Sequence, residues 1–505
     1  MTRDPATFAS RSKVFLLLCS SLAVTSSGMV GSAWADEDFP EPVPAVKTYE
    51  LTVSAAKEPN PALKHRFVVP LTERHAGNAA VFYNRAIMDF LESGRKETEM
   101  QAWFELPLDK LPLDEVRLFV NQRQGLFGDI KTATTCDACD WGIRFQEMRG
   151  KEVVDFRLIE FQYARSLARL LRTKARLEIA EKRLDDAITT VGQIYQLSND
   201  LAKAPNIIVN LVGIAVSSVA GETVIDLLAM ENLPNLYWAF RALPDPLVNI
   251  QAAAHLESTM AVRVFPFLQD AETAQRSVDE WKQLLTEAFV QLGEWTDHPQ
   301  SNSVESQALF TAMLLKNYPI AKRELISAGY DAQRIEQMPV GQVIAIYARD
   351  CYAHVSSETS KWLLVPFAQG YERQKQASQE LIAQGYFGKP ASSLPTHDPL
   401  MINTELSYAS AQVLQASNRQ RVLIAGLTAV EAIRMHAAAN SGKPPASLEQ
   451  ITVVPVPTNP STGKRPLYRV VNQRADLLIP PTDAGQEYSG RRFLVTIRPS
   501  SKEMK

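Results

Sequence analysis

The sequence predicts a mainly α fold, an irregular array of helical hairpins followed by a small C-terminal β appendage. Three observations predict it. Apolar residues recur at three- and four-residue intervals from about Gly77 to Ala439. The stretch Lys151–Ala204 holds no proline and only one interior glycine, Gly192. Beyond Ser441-Gly442-Lys443-Pro444-Pro445 the chain turns to proline and β-branched residues.

Residues 1–35 have the layout of a secretory signal: basic Arg3, Arg11 and Lys13, an apolar run Val14–Val24, then Ala33-Trp34-Ala35. The small side chains of Ala33 and Ala35 suit a signal peptidase, so cleavage is expected before Asp36. Val14–Val24 is too short to stay as an anchor, since crossing a bilayer takes roughly 20 apolar residues. Cys19 follows Leu18, where lipoprotein signals carry a small residue, so lipidation is not expected. The expected location is therefore periplasmic or extracellular. Residues 36–60 begin with Asp36-Glu37-Asp38 and Pro40, Pro42 and Pro44, and are read as an extended acidic leader.

The helical body is placed at 61–440. Val81, Phe82, Arg85, Ile87, Met88 and Leu91 open its first helix. In the long proline-free stretch, Leu184, Ile188, Val191, Tyr195 and Ala202 share one face, and Lys182-Arg183-Leu184-Asp185-Asp186 offers the turn of an antiparallel pair. The uncharged run Ala204–Gly221 approaches membrane length. Its Pro205, Asn206, Asn210, Ser217 and Ser218 are costly in lipid, so it is read as a buried helix, and no stable membrane span is expected after cleavage. Breakers at Leu233-Pro234-Asn235 and Leu243-Pro244-Asp245-Pro246 bracket a helix. Others are expected at about Val248–Val264, Ala274–Trp295, Ser303–Ala328, Val340–Ala368, Glu372–Gln384 and Asn403–Ala439. The tail, 441–505, has candidate strands at Ile451–Val456, Leu467–Val471 and Arg492–Ile497.

Ala175 and Ala187 lie twelve residues apart, and around them the hairpin resembles a tetratricopeptide repeat, although no second copy follows at a fixed period. Glu431-Ala432-Ile433-Arg434 and Gly442–Leu448, with Val454-Pro455-Val456-Pro457 and Asn459–Lys464 up to Tyr468, resemble the region of pseudopilins where a helix leads into a small sheet. That resemblance implies a part in an envelope secretion or pilus-like machine. Asn459-Pro460 replaces the family's Asp-Pro, so no metal site is carried over. As a whole the chain resembles a group of large exported bacterial proteins of uncharacterised function, through Cys139-Asp140-Trp141-Gly142, Asn235–Ala239, Lys361-Trp362 and the Pro-Val-Pro tail. This likeness implies an architecture and no activity.

Cys136-Asp137-Ala138-Cys139 is the most pointed chemical motif. In an exported protein the plain reading is a local disulfide; a zinc site would need further ligands, and a redox role would need a βαβ setting. Cys351 is expected to be buried among Ile346, Tyr347 and Val355. His354 and Glu358, four apart, are read as a surface pair on one helix face, and His397-Asp398-Pro399 as a turn. Ser461-Thr462-Gly463-Lys464 fits Ser-x-x-Lys but sits in a proline-punctuated turn. No catalytic residue, metal site or cofactor fingerprint is recognisable. The aromatics Tyr237, Trp238, Phe240, Trp281, Trp295, Tyr347, Tyr352, Trp362 and Phe367 are read as helix-packing residues.

The formal charge is −3, and removal of residues 1–35, with three basic and one acidic side chain, makes it −5. A mildly acidic chain without a long Lys/Arg run excludes nucleic acid as an expected partner. The reading that results is an exported, non-catalytic binding or scaffold protein whose partner is a protein or envelope component. Its rivals are an extracytoplasmic hydrolase, a thiol-redox protein using Cys136 and Cys139, and the envelope-machine part. The oligomeric state is not legible.

Overall fold

Several helix starts among the described residues are fixed by side chains that accept the first orphaned amides. Asn78 accepts from Ala80, Asn206 from Ile208 and Val209, Ser303 from Ser306, and Asp331 from Arg334. The computed structural model describes residues 39–40, 45–93, 97–154, 159–295, 303–387, 397–400, 402–403, 410–482 and 489–499. The expected cleavage residues Ala33, Ala35 and Asp36, and Cys19, lie outside them.

In chain order the elements are β1 (Lys47–Val53), β2 (His75–Asn78), α1 (Ala79–Glu92), α2 (Glu97–Glu105), α3 (Leu113–Asn121), α4 (Gln124–Thr134) and β3 (Cys136–Ala138). There follow α5 (Lys151–Val154), α6 (Ile159–Ala180), α7 (Leu184–Leu201), α8 (Ile207–Leu228), α9 (Tyr237–Arg241), α10 (Gln251–Ser258) and α11 (Met260–Val264). The rest are α12 (Val278–Trp295), α13 (Val304–Ser327), α14 (Ala332–Gln337), α15 (Val340–Ser360), α16 (Phe367–Gln384), α17 (Ser410–Ala439), β4 (Leu467–Val471), β5 (Arg474–Ile479) and β6 (Arg491–Ile497). The protein is mainly helical, as its periodicity predicts. The described residues form two compact units, one drawn from the segments 39–143, 159–250 and 413–499, the other from 144–154 and 251–412. The stretch read as one helical body, 61–440, is divided between them.

In the first unit α6 and α7 form the expected hairpin. Its turn is Glu181–Arg183, with Lys182 at φ 61°, and Ala175 and Ala187 are both completely buried. α8 packs on both. It is strongly apolar overall, with Glu222 and Asp226 near its C-terminal end, and most of it is buried inside this unit. Among the described residues, α8 and α17 are the two helices long and apolar enough to cross a membrane, and 78 % of each apolar window is buried in the protein.

The sheet of this unit has the order β1-β6-β5-β4. β5 and β6 are antiparallel, whereas β1 runs parallel to β6, from Lys47 opposite Arg491 to Val53 opposite Ile497. Residues 47–53, read as part of the acidic leader, are therefore a strand, and the β appendage is built from both ends of the chain. Tyr49, Leu51 and Val53 alternate inward, so burial of one face outweighs the extended-leader tendency of the prolines before them. Ile451–Val456 is not a strand. Pro455 and Pro457 flank Val456 and offer no ladder donor, and Tyr237 takes the Pro455 carbonyl at 2.6 Å.

In the second unit α15 is central, packed by α10, α12, α13 and α16. Its Val343–Ala348 are all buried, around a completely buried Trp281. Gly341 lies against the Trp281 side chain, where a Cβ would come within 2.7 Å. Phe289 stacks on Phe310 at 4.3 Å, and Tyr352 donates to the Glu257 carbonyl at 2.8 Å.

Candidate functional site

The Cys-x-x-Cys segment is held by two short parallel strands, β2 and β3, in the first unit. Gly77 donates its N–H to Asp137 Oδ1 at 3.0 Å. Asn78 Nδ2 donates to the Asp140 carbonyl at 2.7 Å, while Asn78 Oδ1 accepts from Asp140 N–H at 2.8 Å. Gly142, at φ 68°, turns the chain so that Trp141 stacks on Tyr83 at 5.8 Å. Trp141 Nε1 and the Tyr83 hydroxyl then donate to Asp200, to its carbonyl at 2.9 Å and to Oδ2 at 3.0 Å. Gln196 Nε2 and Lys203 Nζ supply Oδ1 at 2.9 and 2.7 Å. Asp200 is thus a buried carboxylate with a complete set of donors.

The disulfide expected between Cys136 and Cys139 is not formed: both are free, buried thiols. Cys136 opens β3 and directs its Sγ toward the Thr132 carbonyl at 3.4 Å, while Cys139, three residues on, lies beyond the strand. An extended segment sends side chains three apart to opposite sides. Burial, then the Asp200 charge, pushes both thiols above their ordinary range. Protonated thiols are poor nucleophiles, so the corner lacks the electropositive setting of a redox pair.

The other sequence-derived candidates separate. His354 rests against the Tyr386 ring at 5.1 Å, and Glu358 pairs with Lys361 instead of with His354. Cys351 is buried beside Tyr347, as expected, and burial raises its thiol. The Tyr347 hydroxyl is hydrogen-bonded to His397 Nδ1, and Tyr386 stacks on that imidazole at 5.0 Å, which burial holds below its usual range. This cluster in the second unit joins residues fifty positions apart, and nothing in local spacing announces it. Ser461 and Lys464 lie in a turn in which Asn459 accepts from Ser461 and Gly463, and Asn418 donates to the Ser461 hydroxyl at 2.8 Å. Among the described residues no group of three or more His, Cys, Asp or Glu is placed to hold a metal.

A feature not singled out from the sequence lies on α6. Arg165, Arg169, Arg172 and Arg176 follow one another at steps of four, three and four, and so share one face. Arg176 is almost completely buried and donates to Asp226 Oδ2 at 2.8 Å and to the Leu106 carbonyl. Arg172 lies 5.0 Å from the Phe104 ring centroid and 3.8 Å from Asp226. Glu222, the other carboxylate near this face, is engaged by Lys47 and by the Tyr49 hydroxyl. Arg165 and Arg169 are half-buried, and neither has an ion-pair partner among the described residues. Burial, then the neighbouring Arg169, pulls the Arg165 guanidinium below its ordinary range. The four-three-four spacing is the signal that points to this stripe. Its incomplete neutralisation emerges only when α8 brings Asp226 against one half of it. No family model, curated protein or solved structure matches the chain.

Proposed function

We propose that the protein works outside the cytoplasm as a binding or scaffold protein that performs no covalent chemistry. The observation that carries this reading is the arginine stripe of α6, whose Arg165 and Arg169 hold half-buried positive charge without a carboxylate among the described residues. A cation kept partly out of water without a partner costs stability, and a ligand that supplies the missing charge accounts for its presence. Export is supported by the basic start, the apolar run and the Ala33-Trp34-Ala35 cleavage pattern. The redox rival is disfavoured by thiols that burial and Asp200 keep protonated.

The test has two readouts. Mass spectrometry of protein recovered from the extracytoplasmic fraction should give Asp36 as the first residue; intact Met1 on cytosolic protein defeats the export half. The purified mature protein should neither reduce nor oxidise a small disulfide substrate above the uncatalysed rate. Turnover that disappears in Cys136→Ser defeats the non-catalytic half.

A further inference from the structure

We infer that Arg165 and Arg169 are the receiving end of an anion site that takes a phosphoryl group; this deepens the binding reading above and rests on it. The four guanidiniums of α6 lie within one narrow arc of the helix, because steps of four, three and four nearly cancel against the helical period. The C-terminal half of the stripe is partly neutralised by Asp226, with the Phe104 face and the Leu106 carbonyl beside it. Including Lys47, five cations on this face are set, among the described residues, against two carboxylates, Asp226 and Glu222. The deficit falls on Arg165 and Arg169.

A second observation points the same way. The Nε atoms of Arg172 and Arg176 are buried and have no hydrogen-bond partner, so donors remain unspent even where the stripe is paired. Packing alone does not require this arrangement: like charges one helical turn apart repel, and an apolar or amide side chain would fill the same space without that cost.

The ligand class follows from the donors. Two guanidinium forks one turn apart have their Cβ atoms roughly 6 Å from each other. A single carboxylate offers two oxygens and fills one fork. A phosphate monoester offers three terminal oxygens and up to two charges, enough to accept from both forks at once. Free phosphate monoesters and the phosphomonoester headgroup of phosphatidic acid both present that group.

The test uses the mature full-length protein, with binding followed calorimetrically at constant ionic strength. The probes are inorganic phosphate, glycerol 3-phosphate and acetate; a parallel arm measures co-sedimentation with vesicles of phosphatidylcholine containing phosphatidic acid and of phosphatidylcholine alone. The expected result is saturable binding of a phosphoryl probe, in solution or on phosphatidic acid, that acetate does not match. Binding in solution assigns a free phosphate compound, and binding confined to phosphatidic acid assigns a headgroup. The variant R165Q/R169Q should weaken that binding at least ten-fold, yet melt no lower than the parent without ligand, because a repulsion has been removed. Should the double variant fail to fold, R165K keeps the charge, removes the fork, and should weaken binding several-fold. Absence of saturable binding in both arms, equal binding of acetate, or undiminished binding by the variants overturns the site. That failure is read from phosphate binding, whereas failure of the non-catalytic reading is read from disulfide turnover, so the two are separable.

Discussion

Arg434 and Glu431 form an ion pair from which water is fully excluded: neither side chain has accessible surface, and Arg434 Nη1 lies 2.8 Å from both carboxylate oxygens. The pair does more than cancel charge. Arg434 also donates to the carbonyls of Ser54 and Leu233, at 2.9 and 2.8 Å, and Glu431 accepts from the Leu236 N–H at 3.0 Å. One turn of α17 thereby ties down the segment after β1 and the loop before α9.

Removing either charge from this pair strands the other in a dry site. Glu431→Gln and Arg434→Met are each expected to cost about 3–5 kcal/mol of unfolding free energy. Urea denaturation followed by far-UV circular dichroism measures it. A loss below about 1 kcal/mol would mean that water reaches the site, because an exposed pair is worth no more than that.

The thiol corner makes a prediction opposite to that of a redox motif. Among the described residues the cysteines are Cys136, Cys139 and Cys351, all buried and all pushed upward by burial, so each is protonated near neutral pH. Native protein at pH 8 should react with iodoacetamide at least ten-fold more slowly than in urea, and reductant should leave the melting temperature unchanged. Rapid modification of Cys136 in the folded protein would contradict the burial and the Asp200 charge described above.

Most helices were legible in the sequence, and two strands of the sheet were not. α6, α7 and α13 show their periodicity and their caps or turns, and β6 falls within one residue of its expected start. β5 was missed because Ala475–Ile479 are all buried, which erases the period-two alternation. Its two-residue turn, Asn472-Gln473, takes positive φ at both positions without the usual glycine. β1 does alternate, but the acidic, proline-rich residues before it masked the signal. Of the candidate sites, the stripe from Arg165 to Arg176 was legible as spacing. Asp226, Asp200 and His397 were not, because Arg176, Tyr83 and Tyr347, with which they pair, lie fifty or more residues away in the chain.

Gly426 tests the packing of α17 on the sheet. A Cβ there would run into the ring of Phe493, which is completely buried and stacked on Tyr49 at 5.3 Å. Replacing a mid-helix glycine by alanine ordinarily gains roughly 0.5–1 kcal/mol. Overpacking costs about 1–3 kcal/mol, so the clash decides the sign and Gly426→Ala should lower stability. Adding Phe493→Leu, which makes room for the methyl group, should recover part of that loss in the same denaturation measurement.

Acid sensitivity should come from three imidazoles that are buried or partly buried. Burial holds His65, His397 and His436 below the ordinary histidine value. The unfolded chain takes up their protons as pH falls through about 6.5, while the folded chain resists until lower pH. Their penalty is therefore absent above about pH 7 and grows below 6.5, by at most about 1.4 kcal/mol per pH unit for each histidine. Burial also raises the carboxyls of Asp226 and Glu431, and these oppose the trend by protonating sooner in the folded state. The histidine contribution is isolated by comparing the parent with His65→Asn and His436→Asn between pH 7.5 and 5.5. Each variant should lose less stability over that interval than the parent, and parallel curves would show that these imidazoles protonate in the folded protein as readily as in the unfolded chain.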